Sequence, residues 1–214
     1  MITTLPNIIL LSVILLNFFV LGTSRLGACV RAVALQGALL SLLPILINGF
    51  SGHALGLSVG AFLLKGIAIP WLLLRAIRKL RIKRAIEPRI GYIPSLILVA
   101  LTTAGAFIFG DRLPLLAEHL HSMVIPSSLA TLAAGFLMLI TRRKAITQVL
   151  GYLIFENGIF VFGILLSEAM PLMVEAGVLL DMLVAIFVMG IVMNHINREF
   201  SASIDTDHLC LLKE

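Results

Sequence analysis

The chain has 214 residues, of which 60% are hydrophobic and 13% charged, and its mean hydropathy is +1.10. About a quarter of the residues in a soluble domain are charged, so this composition excludes a soluble globular enzyme and leaves no room for a separate soluble domain. The net charge of +5 and pI near 9.7 do not indicate nucleic acid, because the basic residues flank apolar segments, where they report topology.

A bilayer core about 30 Å thick takes around 20 apolar residues per helix, and the apolar stretches accommodate about seven helices. The first runs from about Leu5 to Thr23, with Pro6 at its start, where a missing N–H costs little. It has no Lys or Arg before Arg25 and is longer than the apolar region of a signal peptide, so a retained helix is expected. The second, about Leu26 to Asn48, contains Gln36 and should kink at Pro44. It ends in the polar turn from Asn48 to His53.

The third, about Leu55 to Ile77, opens with Gly56 and Gly60, a pair that permits close helix approach. It carries Lys65 near its middle, and Pro70, five residues on, should disturb the backbone at Gly66 and free a carbonyl beside the lysine, where water could be held. The densest basic run follows: Arg75, Arg78, Lys79, Arg81, Lys83, Arg84 and Arg89, with Glu87 the single acid among them. The fourth helix is expected over about Ile93 to Phe109, the fifth over about Ile125 to Ile140, the sixth over about Ile146 to Leu166 and the seventh over about Leu172 to Ile196. In the loop before the fifth, His119 and His121 form a lone H-x-H, short of a metal-ligand set. Cys29 and Cys210 show no metal or redox spacing and are expected as reduced thiols.

Juxtamembrane Lys and Arg stay cytoplasmic, which puts residues 24–31, 75–89, 141–144 and the tail on one side and 49–54, 111–124 and 168–171 on the other. The expected architecture is an all-α integral membrane bundle, N-terminus outside and C-terminus cytoplasmic, in the cell inner (plasma) membrane. A mixed-charge cytoplasmic tail, 198–214, follows the last helix.

Two carboxyl groups lie in this hydrocarbon. An ionised carboxylate at a bilayer centre costs about 2.5–3.5 kcal/mol on insertion scales, so such groups face a bundle interior, a partner charge or water. Glu156 is thirteen residues past Arg143, about 20 Å along a helix, which places it deep. Gln148, Tyr152 and Glu156 are spaced by four and share a face. Asp181 sits nine residues into the seventh helix, at a similar depth if the two helices are antiparallel. A proton could pass between them through water, with Lys65 as a modulating charge. Glu175 is expected at the outer water edge and His195 near the inner end. Bland readings stand beside this: Lys65 as a structural bridge to Glu156 or Asp181, and Glu156 bonded to a partner subunit.

Arg142-Arg143, Leu150-Gly151, Glu156-Asn157 and Asp181 resemble the K-type subunit of respiratory complex I and the C subunit of multisubunit cation/proton antiporters. Those three-helix proteins carry a membrane glutamate on each of their last two helices; Asp181 falls on the second, and the first falls on Leu153, one turn before Glu156. Over nearly its full length the chain is similar to the hydrogenase-4 component E family. That likeness adds Ala34-Leu35-Gln36, the Gly52-His53 turn, Lys65, and Ile69-Pro70-Trp71 before a basic run.

The resemblance implies a four-helix half (1–122), a K-like three-helix half (123–197) and the tail. It implies a non-catalytic membrane subunit of a group 4 NiFe hydrogenase or formate hydrogenlyase complex, without a cofactor of its own. Such a subunit would join antiporter-like and anchor membrane subunits to a peripheral NiFe hydrogenase arm and supply part of a proton or sodium path through Glu156, Asp181 and Lys65. The other readings are a non-conducting scaffold of that complex, or a subunit of a complex I-like or antiporter assembly. A stand-alone transporter would need inverted repeats with broken helices, for which no matching pair is found. A retinal photoreceptor would need a lysine on the seventh helix, which has none.

Overall fold

The computed structural model describes residues 4–49, 51–79, 89–112, 123–166 and 190. The seventh helix expected from sequence, with Glu175, Asp181 and His195, lies outside the described residues, as do His119, His121, Cys210 and the tail.

All regular structure among the described residues is helical: α1 (Thr4–Gly22), α2 (Leu26–Leu40), α3 (Leu43–Asn48), α4 (Gly52–Ala61), a π-helical segment (Phe62–Ala68), α5 (Ile69–Lys79), α6 (Tyr92–Arg112), α7 (Val124–Thr141) and α8 (Ala145–Leu166). Among the described residues, six continuous stretches are long and apolar enough to cross a membrane: Leu5–Gly22, Leu26–Ile47, Ala54–Arg75, Tyr92–Arg112, Val124–Thr141 and Ile146–Ile164. Large apolar side chains stand exposed along α1 (Ile8, Leu15, Phe19), the α4-to-α5 stretch (Leu55, Leu63, Trp71) and α6 (Ile93, Leu101, Ile108). Water would punish such a surface, whereas lipid tails solvate it. This is the character of a multi-pass membrane protein.

Prolines decide where the helices break. Pro44 cannot donate to Leu40, so α2 stops there; the chain turns through Ser41 and Leu42 and resumes as α3. The Ser41 hydroxyl donates to the Ala38 carbonyl at 2.7 Å, satisfying a group left free by the break. After the positive-φ Gly49, Ser51 caps α4 by accepting from the Ala54 N–H at 3.1 Å.

Pro70 acts differently. The Ile69 N–H reaches back five residues to the Leu64 carbonyl, and the helix continues through a wider turn instead of breaking. In that register the next acceptor is Lys65, whose partner would be the nitrogen of Pro70, which carries no hydrogen. The backbone is thus disturbed at Lys65, one residue before the Gly66 carbonyl expected from sequence, because the register has shifted from four to five.

Among the described helices, α7 and α8 form the closest pair, packed backbone to backbone. A Cβ on Gly135 would collide with the main chain of Phe155, one on Gly158 would lie 2.7 Å from the Leu132 nitrogen, and one on Gly151 would lie 2.9 Å from the Leu139 nitrogen. Small residues facing each other are how membrane helices gain van der Waals contact in place of a hydrophobic drive. The main core joins α1, α2 and α8 through Val20, Leu21, Val30, Val33, Leu150 and Ile154, with Leu73 of α5 and Met138 of α7 closing it.

At the basic end, Arg142 follows α7 and is fully buried. Its Nη2 donates to the Leu21 carbonyl in the last turn of α1 at 2.7 Å, where the helix dipole favours a cation, and its guanidinium lies 5.4 Å from the centre of the Tyr92 ring. Arg142 therefore pins α1, α6 and α7 together. Burial lowers its pKa, opposed by the nearby Tyr92 and Cys29. The Arg89 N–H donates to the Thr141 carbonyl at 2.7 Å and fastens the start of the α6 segment to the same corner.

Candidate functional site

Glu156 lies in the second half of α8, on the face turned toward α2 and the π-helical segment, and is 2% exposed. Its Oε1 is 3.0 Å from Lys65 Nζ. The lysine is itself 13% exposed at its side chain, and its ammonium sits 4.8 Å from the centre of the Phe160 ring, one turn beyond Glu156 on α8. Ion pair and ring face together balance a cation held out of water.

The approach depends on Gly37. A Cβ there would meet the Lys65 Cβ at 2.8 Å and its carbonyl oxygen at 3.1 Å, so α2 can lie against the widened turn only with a glycine at this point. Phe62–Ala68 is thus wide because of Pro70 and close to α2 because of Gly37, and both are needed to aim Lys65 at α8.

The other carboxylate oxygen, Oε2, is buried and has no hydrogen-bond partner. A small cavity with about 10 Å³ open to the centre of a water molecule is walled by Lys65, Glu156, Asn157 and the aliphatic side chains of Val33, Ile69 and Leu73. That is room for about one water.

A buried chain of neutral polar groups leads away from the site. Asn157 Nδ2 donates to Gln36 Oε1 at 3.4 Å, Gln36 Nε2 donates to Asn17 Oδ1 at 2.8 Å, and Asn17 Nδ2 donates to Thr131 Oγ1 at 3.0 Å. The donors all point the same way, from α8 through α2 and α1 to α7, across the bundle at mid-helix level. In lipid each of these groups must find a partner inside the protein, so the chain fixes the mutual register of four helices. It also holds the Asn157 amide at the cavity wall.

The structure brings Lys65 and Glu156 together. It places Gln148 apart from them, donating to the Arg142 carbonyl at 3.3 Å near the basic end, and leaves Tyr152 half-buried between the two. Asn17 and Thr131 were not singled out from the sequence; each is an isolated neutral polar residue in an apolar run, and only the repeated occurrence of such residues at mid-span could have signalled a network. Among the described residues no three His, Cys, Asp or Glu side chains converge as a metal site.

Over 204 residues the chain is 29% identical to the uncharacterized protein Rv0085 of Mycobacterium tuberculosis (strain ATCC 25618 / H37Rv), an alignment covering 94% of this chain and 92% of that protein. No family model matches the chain, and no solved structure matches it.

Proposed function

We propose that the protein is a multi-pass inner-membrane subunit of a group 4 hydrogenase complex of the formate hydrogenlyase kind, with a seventh helix after α8, its N-terminus outside and its C-terminus cytoplasmic. Its part is to brace the membrane arm and to supply a segment of a proton or sodium path, driven by electron transfer in other subunits. The observation that carries this reading is the Glu156 carboxyl: buried at mid-helix, held by Lys65 on one oxygen, unbonded on the other, and part of a residue that lines a water-sized cavity. A purely architectural bridge has no need of an unbonded oxygen and a neighbouring space for water, whereas a group that exchanges a proton does. The full-length likeness of motif order to hydrogenase-4 component E supports the choice of complex, and Asp181 on the following helix is the next carboxyl in the proposed path.

The test has two parts. Isolation of the native complex should return a NiFe hydrogenase large subunit; antiporter or NADH dehydrogenase subunits alone would redirect the assignment. In that complex, Glu156→Gln and Asp181→Asn should abolish ion pumping while assembly persists. Full coupling in both variants would replace the relay with the scaffold reading, in which Lys65–Glu156 is a static tie between the widened turn and α8.

A further inference from the structure

The corner where α7 ends and α6 begins concentrates positive charge. Arg142 is fully buried there; its Nη2 donates to the Leu21 carbonyl, while Nε and Nη1 have no hydrogen-bond partner. The acids among the described residues are Glu156, which pairs with Lys65, and Asp111, at the far end of α6, so neither compensates this guanidinium. Arg89 and Arg143 stand exposed beside it. The Arg89 N–H donates to the Thr141 carbonyl, one residue before Arg142, and Arg143 follows directly. Helix α6 starts at Tyr92, so the positive end of its dipole adds to the same corner. Arg142 acts by its field, which burial leaves weakly screened, and Arg89 and Arg143 are the groups placed to touch a ligand.

Next to this charge runs an apolar stripe. Ile93, Ile97, Leu101 and Ile108 are spaced by four, four and seven, share one face of α6, and are each more than half exposed. Ser95, Val99, Ala106 and Gly110 on the other side are buried. From Ile93 to Leu101 is about 12 Å along the helix, within the roughly 15 Å of one bilayer leaflet. Ile93 lies four residues after Arg89, so cationic corner and hydrocarbon stripe are continuous. A soluble anion has no use for the stripe, and a zwitterionic headgroup brings its own cation to the corner. A lipid whose headgroup carries phosphate and no cation suits both.

We infer that this corner binds an anionic phospholipid, its phosphate on Arg89 and Arg143 in the field of Arg142 and an acyl chain along Ile93, Ile97 and Leu101. The site stands whether or not Glu156 exchanges a proton.

The experiment is fluorescence quenching of the full chain in vesicles of dibrominated phosphatidylglycerol or phosphatidylcholine. Trp71 is the single tryptophan, so Ile93→Trp in a Trp71→Phe background reports the lipid beside the corner, and Ile108→Trp, about 22 Å further along α6, reports the opposite leaflet. The expected result is a preference for phosphatidylglycerol at position 93 of about fivefold for each contacting arginine, with none at position 108. Arg89→Gln and Arg143→Gln should each reduce it about fivefold, and Arg112→Gln should leave it unchanged. Equal quenching by the two lipids at position 93 would overturn the inference. So would a preference that survives both arginine substitutions or disappears in about 0.5 M salt, where only charges within about 4 Å still act, since either outcome marks the diffuse field of the basic end. A preference that emerges only when residues 198–214 are removed would assign the corner to the chain's own acidic tail instead. Native mass spectrometry of the unsubstituted chain with equal amounts of the two lipids decides the matter if the tryptophan variants fail to fold: retention of phosphatidylglycerol over phosphatidylcholine is expected, and equal retention would overturn the site.

Discussion

Removing the lysine from the buried pair is the most informative single perturbation. In Lys65→Met the side-chain length and packing are nearly kept, but Glu156 Oε1 loses its ammonium 3.0 Å away while Oε2 already has no hydrogen-bond partner. At an effective dielectric of about 20, a 3 Å pair is worth roughly 5 kcal/mol of attraction, much of which offsets the desolvation of the two ions. Breaking one side of such a pair costs about 3–5 kcal/mol, because the remaining charge is left buried.

Glu156→Gln should cost less, about 1–3 kcal/mol, since the amide oxygen still accepts from Lys65 and the ammonium keeps the Phe160 ring. The double variant Lys65→Met/Glu156→Gln removes both charges from a pocket that is otherwise apolar and should recover to within about 1 kcal/mol of wild type. The cycle is measured by equilibrium unfolding in mixed detergent micelles, followed by helical circular dichroism. Single variants that each lose under about 1 kcal/mol, with an additive double, would mark the pair as a solvated surface bridge and refute its placement inside the bundle.

Three further outcomes are expected. Gln36→Leu orphans both Asn157 Nδ2 and Asn17 Oδ1 and should cost about 2–4 kcal/mol; Thr131→Val orphans only Asn17 Nδ2 and should cost about half of that, and equal losses in the same unfolding assay would show that the groups are not acting as a chain. Gly135→Ala drives a methyl into the backbone of Phe155 and should destabilise by about 1–3 kcal/mol or more, whereas Gly105→Ala, with nothing within 4 Å of its Cβ position, should be neutral in thermal melts of the purified protein. Pro70→Ala supplies the missing N–H and lets the wide turn relax to an ordinary helix, swinging Lys65 away from Glu156; the expected readout is cysteine cross-linking across positions 65 and 156 that falls in the Pro70→Ala background, and unchanged cross-linking would mean that packing against Gly37 alone holds the register.

The sequence by itself determined the spans. Six of the expected helices match the described ones to within a few residues, because apolar runs of bilayer length bounded by Arg, Lys and turn residues leave little choice. It also located both backbone disturbances, since Pro44 and Pro70 carry their local consequences wherever they stand. The same proline chemistry did not say that the chain would break at one and widen at the other.

That was decided by tertiary contact. The widened turn persists where α2 offers a glycine for Lys65 to lie against, a fact about a residue nearly thirty positions away. The partner of Lys65 was equally open: Glu156, Asp181 or another subunit all satisfied a lone cation in hydrocarbon, and the approach of the widened turn to α8 selected Glu156. Arg142 reads as a topology signal in sequence and turns out to be the buried peg of the basic end, because only folding brings the Leu21 carbonyl above it. Asn17, Gln36, Thr131 and Asn157 carry no spacing signal at all; hydrogen bonds across 19, 114 and 121 residues exist only when four helices share one level. Span length is a property of consecutive residues and is therefore written locally, while the pairing of polar groups inside the bundle depends on helix rotation, which side-chain packing alone sets.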